Sequence, residues 1–134
     1  IEVTDQYAPY VTFSSVETSY NSVYGEGGTP VSEPFFICTW DDLCYDDTYL
    51  DFGYPVSDLH FSMIGSCGEG AAAARLVADG VELAFIPLDD PECEETVTFD
   101  LSEYDGITRL ELVDIEDDAG VGWDHFTFTA HVPL

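Results

Sequence analysis

The chain has 134 residues, a length typical of one domain with its own hydrophobic core. Apolar residues make up 46% and aromatic residues 14%, which excludes a disordered acidic tail, because such tails are poor in aromatic side chains. There are 28 acidic residues against two arginines and no lysine, so the formal charge is -26. A surface of this sign repels nucleic acids and anionic membranes, and neither is expected as a partner.

High ionic strength or bound divalent cations would offset the repulsion between so many carboxylates. The Debye length falls to roughly 3 Å at 1 M salt, so a saline medium would screen the repulsion. Hard oxygen ligands suit Ca²⁺ or Mg²⁺, which would neutralise the charge locally. The lack of lysine favours a saline habitat.

Short alternating segments predict strands in the first half of the chain. "YVTF" (10–13) and "TYLDF" (48–52) alternate between apolar and polar residues, and so does "DLHFSMIG" (58–65). In the last of these segments, alternation divides the side chains between two faces, one of them entirely apolar. Leu59, Phe61 and Met63 are predicted on one face, and His60, Ser62 and Ile64 on the other.

A hairpin and three further strands are predicted in the second half. In "ARLVADGVELAFI" (74–86), Asp79-Gly80 separates two alternating runs, which is the strongest short-range hairpin signal. "TVTFDL" (96–101), "ITRLELVDI" (107–115) and "GWDHFTFTAHV" (122–132) follow. Simple alternation divides the final strand into two sets: Trp123, His125, Thr127, Thr129 and His131 opposite Asp124, Phe126, Phe128 and Ala130.

The remaining segments complete an all-β prediction. "GAAAARL" (70–76) adjoins the hairpin, so a turn and strand are favoured there over a helix. Residues 21–34 are predicted to form a surface loop, and residues 1–8 an edge strand or an exchangeable arm. Eight to ten short strands with Gly, Pro and Asp between them predict an antiparallel β-sandwich with little or no helix, formed by residues 1–134 as a single domain.

Four cysteines without a C-x-x-C spacing favour disulfides over a zinc site, and hence an oxidising, extracytoplasmic compartment. Three connectivities are possible; we favour Cys38–Cys44, which closes the loop "CTWDDLC", and Cys67–Cys93, which ties two strand ends together. No apolar run reaches the roughly 18 residues of a membrane span. The start at Ile1 is that expected of a processed secreted protein.

Three stretches resemble a broad group of secreted bacterial jelly-roll domains, carbohydrate-binding-module-like β-sandwiches found in exported and cell-surface proteins. They are "TDQYAPYVTFSS" (4–15), "YLDFGYPVSDLHFSMIG" (49–65) and "GITRLELVDIEDDAGVGWDHFTF" (106–128). The group has an opening tyrosine and a V-T-F strand, a D-F-x-x-P-V-S-x-L strand and a closing G-x-G-x-D-x-F-x-F strand. Here these correspond to Tyr7 with 11–13, to 51–59 and to 120–128. The resemblance implies a jelly roll.

The acidic turn "DIEDDAGVGWD" (114–124) is the candidate metal site. Ca²⁺ takes six to eight oxygen ligands in flexible geometry, and this turn offers carboxylates beside glycines. The EF-hand order is absent. In the domains that the chain resembles, a structural Ca²⁺ lies where the first and last strands meet, which would bring Glu2 or Asp5 near Asp124. The candidate ligands are Glu2, Asp5, Asp114, Glu116, Asp117, Asp118 and Asp124. The alternative is that these acids are solvated and that Asp124 caps a loop amide.

The segment "WDDLCYDDTYLDFGY" (40–54) is the candidate sugar-binding surface. Aromatic rings stack on pyranose faces while carboxylates accept hydrogen bonds from hydroxyls. The alternative is that Tyr49 and Phe52 belong to the core and that Trp40 closes one end of the sandwich. The predicted binding residues are Trp40, Asp41, Asp42, Tyr45, Asp46, Tyr49 and Tyr54, with Asp47 beside them.

The sequence does not favour an enzyme. Neither a G-x-S-x-G elbow nor an H-E-x-x-H motif is present, and with 28 acids a carboxylate pair can always be proposed. His125 and His131 are six residues apart on one strand, about 20 Å, which argues against a shared metal. Arg109 is expected to pair with Glu111, two residues on and on the same face.

Two functions remain. The first is a non-catalytic extracellular module, stabilised by Ca²⁺, that binds polysaccharide or a cell-surface glycan. The second is a structural subunit of an extracellular filament or surface layer, assembled by strand donation from residues 1–8, by divalent cations, or by both.

Overall fold

Ten β-strands form the regular structure of the described residues. The computed structural model describes residues 2–3, 10–15, 21–24, 36–39, 47–65, 67–94, 96–115 and 121–133. The order along the sheet is β1-β3-β4-β10-β5-β9-β6-β7, with β2 and β8 also paired to β5, and every described pair is antiparallel. The strands are β1 (Glu2–Val3), β2 (Val11–Ser15), β3 (Asn21–Tyr24), β4 (Phe36–Thr39), β5 (Thr48–Ile64), β6 (Gly68–Ala78), β7 (Val81–Asp90), β8 (Thr96–Asp100), β9 (Ile107–Val113) and β10 (Gly122–Ala130).

The 17-residue strand β5 belongs to two layers. Its first half lies between β2 and β9, and its second half lies between β10 and β8. The change of neighbours falls around Gly53 to Pro55, where the register with β9 shifts between Asp51 and Val56. Glycine and proline mark bends and bulges in strands, because one lacks a side chain and the other lacks an amide hydrogen. A strand that changes sheets at a bend makes a corner of a β-sandwich.

We name the layers by their strands. Sheet I contains β2, the first half of β5, β9, β6 and β7. Sheet II contains β1, β3, β4, β10, the second half of β5 and β8. The predicted fold class, an antiparallel β-sandwich of eight to ten strands, is confirmed.

One hydrophobic core joins the two sheets. Leu50, Leu76 and Leu110 of sheet I are fully buried and belong to the same cluster as Phe61 and Trp123 of sheet II. Phe52 of sheet I meets Phe128 of sheet II edge-on, with 5.1 Å between ring centroids. The face of β5 predicted to carry Leu59, Phe61 and Met63 is buried in this core.

The hairpin between β6 and β7 has the predicted two-residue turn. Asp79 and Gly80 both have positive φ, 48° and 81°, as a type I′ turn requires. Ala78 pairs with Val81 across the turn. The alanine-rich stretch before the hairpin lies in β6, as predicted, rather than in a helix.

Simple alternation in β10 is wrong. One extra residue lies between Asp124 and Thr127 relative to β5, and His125 has a positive φ of 54°. Such a bulge shifts the alternation by one residue. Trp123 therefore points into the core on the same side as Phe126, Phe128 and Ala130. Simple alternation had placed it on the opposite face.

Three predicted segment boundaries differ from the structure. The two strands predicted at 48–52 and 58–65 are one continuous strand, β5. The predicted loop 21–34 begins with β3, where Val23 and Tyr24 favour strand, and residues 25–34 lie outside the described residues. β4 was not predicted, although Phe36 and Ile37 are also strand formers.

The predicted Cys67–Cys93 disulfide is confirmed, with the two Cα atoms 4.2 Å apart. It links the start of β6 to the turn that follows β7. Cys44 lies outside the described residues, and of Cys38 the backbone alone is described, so the Cys38–Cys44 bond stays a prediction. In the described parts of the chain there is no helix long and apolar enough to span a membrane.

Removing the Cys67–Cys93 bond should destabilise the chain. The bond joins residues 26 positions apart, and closing a loop of that length in the unfolded state is worth about 3.5 kcal/mol. We expect Cys67→Ala/Cys93→Ala to lose about this free energy of unfolding in urea denaturation. A loss below about 1 kcal/mol would show that the bridge does not constrain the unfolded chain.

Candidate functional site

A row of side chains crosses the outer face of sheet I, the face turned away from the core. Register places Tyr49 opposite Glu111, Glu111 opposite Arg75, and Arg75 opposite Phe85. These four residues alternate with buried neighbours such as Leu50 and therefore project outward. We call them the outer row.

A second row lies beside the outer row on the same face. Here Asp51 is opposite Arg109, Arg109 is opposite Val77, and Val77 is opposite Glu82. Both arginines of the chain therefore lie on one face of one sheet.

Glu111 binds both arginines. Its Oε1 accepts a hydrogen bond from Nη1 of Arg75 at 2.7 Å, and its Oε2 accepts one from Nε of Arg109 at 2.8 Å. Each arginine has a second carboxylate partner. Nη1 of Arg109 lies 3.0 Å from Asp51 Oδ1, and Nε of Arg75 lies 2.9 Å from Glu82 Oε1. The predicted pairing of Arg109 with Glu111 is confirmed.

Each guanidinium also covers an aromatic ring. The central carbon of Arg109 lies 4.5 Å from the ring centroid of Tyr49, and that of Arg75 lies 5.1 Å from the centroid of Phe85. Both distances fall within the range of cation–π attraction. The contacts across the face therefore run in the order Tyr49, Arg109, Glu111, Arg75 and Phe85.

The ionisation of these groups follows from burial and from the ion pairs. Partial burial acts to raise the pKa of Glu111, but hydrogen bonds from Arg75 and Arg109 outweigh it, and the pKa lies below the ordinary 4.5. Burial raises the pKa of Asp47, and burial together with the charge of Asp47 raises the pKa of Tyr49. The Tyr49 hydroxyl donates to Asp47 Oδ2 at 3.2 Å. Glu111 is therefore a carboxylate at neutral pH.

The outer face offers donors, acceptors and an exposed ring. Among the described residues, the Nη2 groups of Arg75 and Arg109 have no hydrogen-bond partner, so each keeps N–H donors that the described residues do not occupy. The side chains of Asp51 and Glu82 are 47% and 52% exposed and retain free lone pairs. Phe85 is 44% exposed. This combination can hold a ligand rich in hydroxyl groups.

The predicted sugar-binding segment falls only partly within the described residues. Tyr49 lies in the outer row, but Arg109 covers one face of its ring. Tyr54 lies at the bend of β5, its ring centroid 6.1 Å from that of Tyr10, which is half exposed. The predicted residues outside the described ranges are Trp40, Asp41, Asp42, Tyr45 and Asp46.

Sequence reasoning missed Phe85 and Arg75 as site residues. The hairpin signal was recognised, but the pairing of Arg75 with Phe85 depends on an extra residue in β7 between the partners of Val77 and Leu76. No sequence signal marks that insertion.

The predicted metal ligands are not brought together within the described residues. β3 and β4 lie between β1 and β10, so the first and last strands are not neighbours, and about 14 Å separates them at the usual strand spacing. Glu2, of which only the backbone is described, is therefore not on a strand adjacent to that of Asp124. Asp124 is buried, and its Oδ1 accepts the amide hydrogen of His125 at 2.7 Å.

Asp114 is exposed at the end of β9. No group of three or more metal-binding side chains occurs within the described ranges. The remaining candidates, Asp5, Glu116, Asp117 and Asp118, lie outside those ranges.

No family model and no curated protein matches the chain. Solved structures that resemble the chain include carbohydrate-binding modules of family 29. A mutant of such a module shares 15% identity at a TM-score of 0.40, over 90% of this chain and 93% of that one. A mutant complexed with mannohexaose has a TM-score of 0.39 and 15% identity, over 90% and 93%. A mutant complexed with cellulohexaose has a TM-score of 0.39 and 17% identity, over 91% and 94%.

Replacing Glu111 should reveal a pH-dependent contribution to stability. Because its pKa is lower in the folded chain than the ordinary 4.5, Glu111 stabilises the fold at neutral pH, and this contribution is lost as the pH falls below 4.5 through the folded pKa. We expect Glu111→Gln to lose about 1–2 kcal/mol at neutral pH, measured by urea denaturation, and almost nothing at about pH 3. Glu103→Gln, which removes an exposed carboxylate, is the control. An equal loss at both pH values would contradict the ion-pair role.

Proposed function

We propose that this chain is a non-catalytic extracellular module that binds polysaccharide through the outer face of sheet I. The observation that carries the proposal is the exposed ring of Phe85, which lies against the guanidinium of Arg75 in the outer row. Carbohydrates present apolar ring faces edged by hydroxyl groups, and such surfaces fit an aromatic ring flanked by fixed donors and acceptors.

The contacts that hold the two arginines in place support this function. Arg75 and Arg109 are each fixed by two carboxylates and a ring, so their free Nη2 groups have defined positions before a ligand arrives. A site whose groups are already ordered loses less conformational entropy on binding.

An extracellular location is part of the proposal. The Cys67–Cys93 disulfide supports it, since disulfides persist in oxidising compartments. The formal charge of -26 supports a medium in which salt or divalent cations screen the surface.

Replacing Phe85 should weaken polysaccharide binding about tenfold, because the stacking surface is lost. Affinity electrophoresis of Phe85→Ala on a panel of soluble polysaccharides measures the effect. Phe85→Leu keeps apolar bulk without a ring and should bind almost as weakly as the alanine variant. Val132→Ala removes an exposed apolar side chain outside the outer row and should bind like the unmodified chain. If Phe85→Ala binds the polysaccharides as tightly as the unmodified chain, this face is not the binding site.

Stabilisation by Ca²⁺ is a second part of the proposal, centred on the acidic turn that ends at Asp124. A ligand that binds only the folded state adds about 2.7 kcal/mol at a concentration 100 times its Kd. We therefore expect Ca²⁺ to raise the melting temperature at fixed ionic strength, and Asp124→Asn to abolish the shift.

The asparagine keeps an oxygen that can accept the His125 amide hydrogen, so the change removes the charge while this hydrogen bond is retained. Asp105→Asn, at an exposed carboxylate elsewhere, should leave the shift unchanged. Equal melting temperatures in Ca²⁺ and in chelator would remove calcium from the proposal.

Exposed apolar side chains on β7 favour the alternative function, a structural subunit of an extracellular filament or surface layer. Val81 is 66% exposed and Leu83 42%, and the described strand order ends at β7. However, Pro87 and the extra residue in β7 are features that protect a sheet edge from pairing. Light scattering on the binding samples separates the functions, since a subunit forms large particles that dissociate in EDTA or after removal of residues 1–8.

A further inference from the structure

We propose that the ligand of the outer face is an uncharged polysaccharide and that the face excludes uronic-acid polymers. This inference rests on the proposed function and names its substrate class. The opposite expectation is the simpler one: a chain with only two cations, both on one face, could use them to bind an acidic sugar. The contacts of Arg75 and Arg109 decide between the two.

Both arginines are already committed to carboxylates of the chain itself. Arginine binds a carboxylate best along an edge that presents two parallel N–H groups. On Arg75, Nε and Nη1 are occupied by Glu82 and Glu111, and on Arg109 they are occupied by Glu111 and Asp51. To bind along such an edge, an acidic ligand would have to displace one of these carboxylates; without that displacement it is left only a single-nitrogen contact with Nη2.

Displacement is most unfavourable at Glu111. Its side chain is 17% exposed, and it is the shared acceptor of both guanidinium groups. Taking an arginine away would leave a half-buried carboxylate with one of its two partners, and breaking an ion pair away from bulk water is destabilising. The ion pairs therefore protect the face against anionic competitors.

The carboxylates around the two arginines also disfavour an acidic ligand. Two guanidinium groups stand among four carboxylates, which belong to Asp47, Asp51, Glu82 and Glu111. The formal charge of the whole chain is -26. A carboxylate ligand would meet like charges at close range, whereas a hydroxyl group can donate to Asp51 or Glu82 and accept from an arginine Nη2.

Comparing neutral and acidic polymers tests the inference. Isothermal titration with galactomannan and hydroxyethylcellulose, against polygalacturonate and alginate, is carried out at 0.1 M and 1 M NaCl. We expect a neutral polymer to bind with similar affinity at both salt concentrations, and the acidic polymers to bind at least about tenfold more weakly at both. At 1 M salt the long-range repulsion is screened, so the remaining discrimination belongs to the site.

A gain of binding tests the protective role of the ion pairs. Glu82→Gln frees one edge of Arg75 at an exposed position and should increase the affinity for polygalacturonate at 1 M salt about tenfold, whereas the neutral polymer, which loses a carboxylate acceptor at this position, should bind no more tightly than before. Glu111→Gln should give a larger gain where the variant is folded. Glu103→Gln makes the same change of charge away from the face and should show no gain.

The outcomes separate this inference from the proposed function. If acidic polymers bind at 1 M salt as tightly as neutral ones, or if only acidic polymers bind, the inference is wrong while polysaccharide binding stands. The inference is also wrong if Glu82→Gln and Glu103→Gln behave alike. If no polymer binds at either salt concentration, the proposed function itself fails.

Discussion

The structure depends on the pairing of β5 along both of its edges. Over 17 residues this strand is flanked first by β2 and β9 and then by β10 and β8, and it changes sheets near Gly53. Its inward side chains contribute to the core from both layers, from Leu50 in one to Phe61 in the other. Tyr49 and Asp51 alternate with those buried residues, so the position of the outer face is fixed by the same pairing that fixes the core.

The extreme charge makes the location of the two arginines informative. The chain has 28 acidic residues and a formal charge of -26, yet Arg75 and Arg109 meet at a single glutamate. Surface ion pairs taken one at a time contribute little, but a network with shared partners and low exposure contributes more. The two arginines therefore organise the outer face of sheet I.

Local signals in the sequence predict much of the fold but only part of the candidate site. Alternation predicts the strands of the second half, and Asp79-Gly80 predicts the hairpin, because both depend on nearby residues alone. The pairing of Arg109 with Glu111 is also local, since residues two apart in a strand share a face. The partners brought from other strands, Asp51 and Arg75, depend on register, which short-range pattern does not fix.

One inserted residue in β7 shows how register creates the candidate site. β7 is apolar at Val81, Leu83 and Phe85 and also at Ala84, Ile86 and Leu88, so alternation alone leaves its inward face undecided. Without the extra residue between the partners of Val77 and Leu76, Phe85 would pair with Ala74 and point into the core. With it, Phe85 pairs with Arg75 and Ile86 turns inward. A bulge that re-aims a side chain has here exchanged a core residue for an exposed aromatic ring under a guanidinium.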